Sequence, residues 1–500
     1  MEDALLQKTS PDKSSTVSVA VSVAGASEDV GGDGWRRCVL SRREFTAEMK
    51  KMMEIAAPMV AVTVSQYLMQ VVSMSMVGHL GELALSGVSV ATSLASVTGF
   101  SVLFGMAGAL ETLCGQAFGA EQYQKLGTYT YSSVITLLLL CIPISILWLF
   151  MDKLLILFGQ DPGISAVAYQ YIIYLIPALF GFGILESLIR YFQSQSLISP
   201  MLWATLSALF LHVCLCWVLV HKLGAGVVGA AVSLGVAYWV NAILLWIYKD
   251  WSSTCEKSRA FDLSDVLSKI KEFFCFALPS AMMMCLELWS FEFMILLSGL
   301  LPNSQLETSV LSICLTTTTL HYYFIYGVGA AASVRVSNEL GAGNPRDARV
   351  AVTAAVAVAG AEAILIGITL ICFRRIWGYV YSNEKEVVEL CTWMTPLLCL
   401  SVIFDSMVAI FSGVARGTGW QHLGAVVNIG AYYLVGIPIG AVLCFVMEWE
   451  GRGLWVGVLS GSALQAFLLG LITSLTNWHK QAMKARERLL DSRDGHGLLA

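Results

Sequence analysis

Phe273–Leu301 reads FFCFALPSAMMMCLELWSFEFMILLSGLL. As a helix rising about 1.5 Å per residue, it is long enough to cross the ~30 Å hydrocarbon core of a bilayer. Pro279 sits near its start, Glu287 at its middle and Glu292 further on. A carboxylate at the bilayer centre costs about 2.5–3.5 kcal/mol even on a lenient insertion scale. Side chains that expensive are candidates for a function, and the rest of the chain has to show what they serve.

The chain has 500 residues, 57% hydrophobic and 13% charged, with a mean hydropathy of +0.71. An average soluble domain is about 25% charged. The composition therefore excludes a soluble globular protein and points to a polytopic membrane protein. Most of the 13 Cys lie inside apolar segments without metal-ligand spacing to His, so they read as small buried hydrophobes. No metal or cofactor is expected, nor a nucleic-acid partner. The sequence has no Walker A motif, so nothing points to ATP as the energy source. No nucleophile–base or metal cluster marks the segment ends, which argues against an enzyme.

Twelve apolar segments run over 52–76, 84–110, 127–150, 164–188, 198–220, 226–248, 270–298, 306–332, 349–373, 387–412, 423–447 and 453–477. Each has the length that a spanning helix needs. The fold class expected is an all-α membrane protein of twelve transmembrane helices in two pseudo-symmetric six-helix lobes. The polar stretch 1–44, rich in Ser, Asp and Gly, reads as a disordered cytosolic tail. Residues 45–248 form the N-terminal lobe, 249–269 a cytosolic linker, 270–478 the C-terminal lobe and 479–500 a second cytosolic tail. An even helix count puts both termini on one side. With that side cytosolic, 24 of the 30 Lys and Arg fall inside, as the positive-inside rule requires.

The two halves repeat. Pro58 matches Pro279, FGMAGALETLCGQAFGA (Phe104–Ala120) matches YGVGAAASVRVSNELGA (Tyr326–Ala342), and Pro177 matches Pro396. These offsets lie within three residues of one another. Equivalent helices are six apart, so both copies run in the same sense, about an axis along the membrane normal. Substrate sites in such transporters lie near the midplane, within or between the halves.

SMVGHLGELALSG (Ser75–Gly87), ETLCGQAFGA (Glu111–Ala120), CLELWSFE (Cys285–Glu292), SNELGAGNP (Ser337–Pro345) and GVARGTGWQ (Gly413–Gln421) resemble the plant branch of the multidrug and toxic compound extrusion (MATE) family. The resemblance covers about residues 45–478. It implies two six-helix lobes around a V-shaped cavity, and exchange of an organic solute for a cation, usually a proton in plant members. It also matches Glu287 to the family's coupling acid on helix seven and Asp405 to its second acid in the C-terminal lobe.

From the residues themselves, Glu287 and Asp405 are the deep acids. Pro279 should bend helix seven and free a carbonyl toward a cavity. Glu292 joins Glu287 and Asp405 as a candidate coupling acid; it lies about 140° further round the same helix, so the two acids of helix seven cannot both face one cavity squarely, and a place nearer the outer interface stays open for it. Glu186 stands as far from Pro177 as Asp405 from Pro396, and an ion pair with Arg190 one turn away is an equally good account of it. Gln66, Tyr67, Gln70, Asn241, Asn428 and Tyr432 are candidates to line the cavity, each also open to a role in helix packing. Trp239, Trp289 and Tyr322 would add stacking and cation–π contacts for a flat, partly cationic solute. His212 and His321 read as satisfied core histidines. Arg335 and Glu339 read as a structural bridge at a helix end.

A carboxylate out of water favours its protonated form, so a proton and a cationic solute would compete for it. The function expected is a proton-coupled antiporter exporting organic cationic or neutral solutes, as a monomer in the plasma or vacuolar membrane. A sodium-coupled exporter and a lipid flippase of the same helix count are the rivals.

Overall fold

The computed structural model describes residues 42–494 except 260, 302, 303 and 383. Among these residues twelve long helices follow one another: α1 (Arg42–Gly78), α2 (Glu82–Gly119), α3 (Tyr123–Leu149), α4 (Pro162–Ser194), α5 (Ile198–Lys222), α6 (Gly226–Trp251), α7 (Leu263–Ser298), α8 (Ser304–Ala342), α9 (Pro345–Val380), α10 (Lys385–Thr418), α11 (Gln421–Val446) and α12 (Glu450–Leu475). Eleven are long and apolar enough to cross a membrane. The remaining one, α8, has 39 residues, long enough to span. Helix is what such segments must form, because hydrocarbon offers no partner to an unpaired backbone amide. Asp161 accepts from the first backbone amides of α4, with Pro162 opening the helix. Asp262 caps α7 in the same way. Gly419, at φ 90°, closes α10 in the left-handed conformation that favours glycine. Large apolar side chains such as Ile364, Leu365, Ile368 and Phe373 of α9 are exposed, as a lipid-facing surface requires.

Two differences from the sequence reading concern the ends of the lobes. The linker expected over 249–269 is shorter, because α6 runs on to Trp251 and α7 begins at Leu263. The stretch after α12, read only as a second tail, holds a further helix, α13 (Trp478–Asp494). Trp478, Ala482, Ala485 and Leu489 bury one of its faces, and Arg488 donates to the Thr418 carbonyl at 3.3 Å. The N-terminal tail lies outside the described residues up to 41.

The packing repeats as the sequence does. Within the first half α1 packs on α5, α2 on α4, and α4 on α6. Within the second α7 packs on α11, α8 on α10, and α10 on α12. Between the halves the pairs are α2 with α7 and α8 with α1, which exchange under the same six-helix shift. Glycine makes both crossings close. A Cβ added at Gly105 would lie 2.7 Å from Cα of Ala281, and one at Gly327 would lie 2.7 Å from the Val60 nitrogen. Nearer the side that carries the termini, a Cβ at Gly119 would overlap the Asn338 carbonyl, and one at Gly341 the Gln116 carbonyl. The four positions are the glycines that the two copies of the repeated motif share. Helix backbones approach this closely only through such residues.

Gly119→Val should therefore lower stability by about 1–3 kcal/mol through overpacking. Gly360→Ala, with nothing within 4 Å of the new methyl, should be neutral or slightly stabilising. Thermal unfolding of the detergent-solubilised protein checks both, and equal shifts would refute the crossing as the constraint.

Candidate functional site

The crossing forms the floor of a cavity on the side away from the termini. One recess, of about 830 Å³, is lined by Gln66 and Gln70 of α1, Phe104 of α2, Glu186 of α4, and Tyr322 and Tyr326 of α8. A second, of about 1230 Å³, shares Gln70 and Tyr322 with the first and adds Tyr67, Trp289, Glu287, Glu292 and Asp405. The first part of α2 widens into a π-helical turn over Ser96–Phe100. Ser96 and Phe100 from this turn also line the first recess. Such turns are frequent at functional sites.

The floor is built on charge. Glu111 of α2 accepts from Arg416 Nε of α10 at 2.9 Å and lies 3.5 Å from Arg190 Nε of α4. Arg190 also pairs with Glu186 at 3.3 Å and donates to the Tyr326 hydroxyl at 3.0 Å. All four charged side chains are at most 4% exposed. Phe104 and Tyr326 are repeat equivalents, their ring centres 5.4 Å apart. Arg190 lies 4.8 Å from the Phe104 ring and Arg416 5.3 Å from the Tyr326 ring, so the aromatic pair stands between the guanidinium groups and the first recess. Backbone ties reinforce the join: Thr112 donates to the Arg416 carbonyl, and Gln116 to the Gly417 carbonyl at 3.2 Å. Toward the termini, Arg335 pairs with Glu339 as expected, at 2.6 Å. It also grips both oxygens of Glu48 on α1, at 2.6 and 3.0 Å.

Glu287 and Asp405 both face the second recess, and so does Glu292. Whether Glu292 shares the cavity was left open by the sequence; here it lines the same recess as Glu287. The lining residues of α7 are Glu287, Leu288, Trp289, Phe291, Glu292 and Ile295. The cavity wraps a broad face of this helix, and the two acids stand toward its opposite edges. Glu287 is 7% exposed and accepts from Gln465 Nε2 of α12 at 3.2 Å. Gln465 in turn accepts from the Tyr432 hydroxyl at 2.7 Å.

Tyr432, Asn428 and Asn241 do not line either recess. Tyr432 acts on Glu287 through Gln465. Asn428 donates to the Met283 carbonyl at 2.7 Å and Tyr433 to the Leu286 carbonyl at 3.2 Å, so α11 grips the backbone of α7 just before Glu287. Asn241 donates to Thr205 at 3.2 Å, an α6–α5 packing bond. Trp239 donates to the Pro177 carbonyl at 2.9 Å and also stays outside the recesses. Pro279 does not open α7 onto this cavity; it lies beside the α10–α11 turn, against Thr418 and Trp420. His212 bonds Ser73 at 3.1 Å.

Glu111, Arg416 and Glu362 were not singled out by sequence reasoning. Each is a lone charge in an apolar run, the signal that drew attention to Asp405. Their partners come from other helices, which one-helix periodicity cannot supply.

Two repeated six-helix halves meeting at a small-residue crossing, with an acid-lined cavity between them, define a two-lobe membrane transporter. The MatE family profile matches residues 58–218 and 279–442. The chain is 56% identical over 446 residues to Protein DETOXIFICATION 8 of Arabidopsis thaliana, covering 89% of this chain and 92% of that protein. It is 55% identical to DETOXIFICATION 7 of the same plant, over 89% of this chain and 88% of the relative. The crystal structure of the eukaryotic MATE transporter AtDTX14 superposes with a TM-score of 0.86 at 53% identity, over 89% of this chain and 99% of that one. The chain belongs to the MATE family of multidrug and toxic compound transporters.

Removing Glu111 leaves two buried guanidinium groups short of a partner, a defect worth about 3–5 kcal/mol. Glu111→Gln should therefore unfold at markedly lower temperature, and Glu111→Gln with Arg416→Met should regain part of the loss. A double variant no more stable than the single would argue against the pair as the tie.

Proposed function

We propose that the chain is a secondary active antiporter that exports organic cationic or neutral solutes from the cytosol in exchange for protons. The observation that carries this reading is the charge of the cavity. Four carboxylates line its two recesses, and no Lys or Arg is among the described residues lining them. Glu186 has a cation of its own in Arg190. Glu287 is held by the neutral amide of Gln465, so a proton or a solute cation can supply its charge, and the two exclude each other there. Tyr67, Trp289 and Tyr322 give such a solute aromatic faces at the same depth.

With the termini in the cytosol, as the Lys and Arg distribution favours, the closed floor is cytosolic and the cavity belongs to the outer half. Protons would then load Glu287 and Asp405 from the acidic, non-cytosolic side and displace the solute there. Each pH unit across the membrane supplies about 1.4 kcal/mol per proton. Glu292 faces the same recess and serves as the outer acid of the path. The protein would work as a monomer, in the plasma or vacuolar membrane.

Purified protein in sealed vesicles, with ethidium as solute and an imposed pH gradient, tests this. Glu287→Gln and Asp405→Asn should each reduce gradient-driven transport at least about tenfold. Replacing Na⁺ by choline at fixed pH should change nothing. Undiminished transport in both variants overturns the proton reading, and loss of transport in choline turns it toward sodium.

A further inference from the structure

Behind Asp405, away from the cavity, three helices of the C-terminal lobe bring together a buried histidine and a buried acid. His321 of α8, Glu362 of α9 and Ser406 of α10 are 6%, 9% and 0% exposed. His321 Nε2 lies 3.1 Å from Glu362 Oε1 and 3.3 Å from the Ser406 hydroxyl. That hydroxyl lies 2.9 Å from Glu362 Oε2 and 2.7 Å from the Val402 carbonyl. A serine has one hydrogen to give, and a carboxylate or carbonyl only accepts. The hydroxyl therefore donates to one of these two oxygens, and the proton between His321 and Glu362 is carried on Nε2 or taken up by the acid. Nδ1 of His321 has no protein partner among the described residues. The sequence reading of His321 as a satisfied core histidine thus omitted its main partner.

Asp405 is the neighbour of Ser406 on α10, about 100° round the helix. It faces the cavity while Ser406 faces the pair. Its chain neighbour Ser406 lies 3.3 Å from His321 Nε2, which brings Asp405 close to the imidazole. From the other packed elements, Asp405 meets Ser462 of α12, Tyr432 of α11 and Glu287 of α7. Tyr322, beside His321 on α8, lies near Glu287. His321 is thus the basic group between two acids, one in the cavity and one behind it.

A buried charge needs one partner, and leaving it without one is costly. With Glu362 in place, an imidazolium at His321 is neutralised on the side away from the cavity. Asp405 is then free to exchange its proton for a solute cation. Without Glu362, the same imidazolium has only Asp405 to turn to, and an internal pair would take the seat of the solute. We propose that Glu362 is a positioning residue for the exchange: it holds the charge of His321 away from Asp405. The inference rests on the antiport reading above and assigns a role to a residue outside the cavity.

The test is vesicle transport of ethidium under a pH gradient, normalised to the protein inserted, for Glu362→Gln and for Glu362→Gln with His321→Asn. Glu362→Gln should lose at least about tenfold in transport, and the double variant should return to within about threefold of the parent. A merely structural role gives no such rescue, because the second substitution removes still more of the cluster. If Glu362→Gln fails to insert, the double variant decides alone, and its failure overturns the proposal. Parent-like transport by Glu362→Gln, or a double variant as poor as the single, also overturns it. Asp405→Asn measured alongside separates the two readings. Unimpaired transport there removes the coupling role of Asp405 and this inference with it. Impaired Asp405→Asn with an unrescued Glu362→Gln removes this inference alone.

Discussion

The join between Glu111 and Arg416 is the constraint from which the rest of this structure follows. It links α2 of one half to α10 of the other at 2.9 Å, in a region where an unpaired charge would be very costly. The pair can exist only because the helix backbones around it almost touch. Gly119 sits on the Asn338 carbonyl, Gly341 on the Gln116 carbonyl, and Gly115 against Ser337. Larger side chains at these places would hold the lobes apart and leave the charges too distant to compensate one another. Close packing and charge compensation are therefore mutually dependent. Together they close one end of the molecule and leave the cavity on the other.

The floor and the cavity obey different rules of symmetry. Along the floor the crossing positions correspond between the halves: Gly105 with Gly327, Gly119 with Gly341, Phe104 with Tyr326, Gln116 with Asn338. In the cavity they diverge. The acid of the N-terminal half, Glu186, is bound by Arg190 in its own lobe, whereas Glu287 of the C-terminal half is held by a neutral amide. Gene duplication would supply two equal halves. The divergence places an acid held without an Arg partner in one half and an Arg-paired acid in the other.

Much of the fold was legible in the sequence because bilayer-spanning helices are specified by length and hydrophobicity alone, and the repeat by proline and glycine spacing. The ends were less legible. Nothing in hydropathy shows that the polar stretch after Leu475 folds as α13, whose apolar face appears only at i, i+4, i+7 and i+11 among many charges. In the site, solitary acids such as Glu287 and Asp405 could be read because a lone charge in an apolar run is conspicuous. What each acid faces was not legible. The facing of Glu292 stayed open because a rotation angle between two residues does not give the width of the cavity around the helix. Asn241, Asn428 and Tyr432 were plausible lining residues by composition, yet their hydrogen bonds go to neighbouring helices and backbone. A polar side chain within a membrane has to find a partner somewhere, and sequence position does not say where.

The same charges bear on what separating the lobes at the floor would require. Glu111 has two partners, one in its own lobe and one across the join. If the lobes parted, Glu111 would keep Arg190, but Arg416 would lose its carboxylate. Parting the lobes therefore strips a buried guanidinium of its paired carboxylate, a defect worth about 3–5 kcal/mol, and that cost holds this end of the molecule closed.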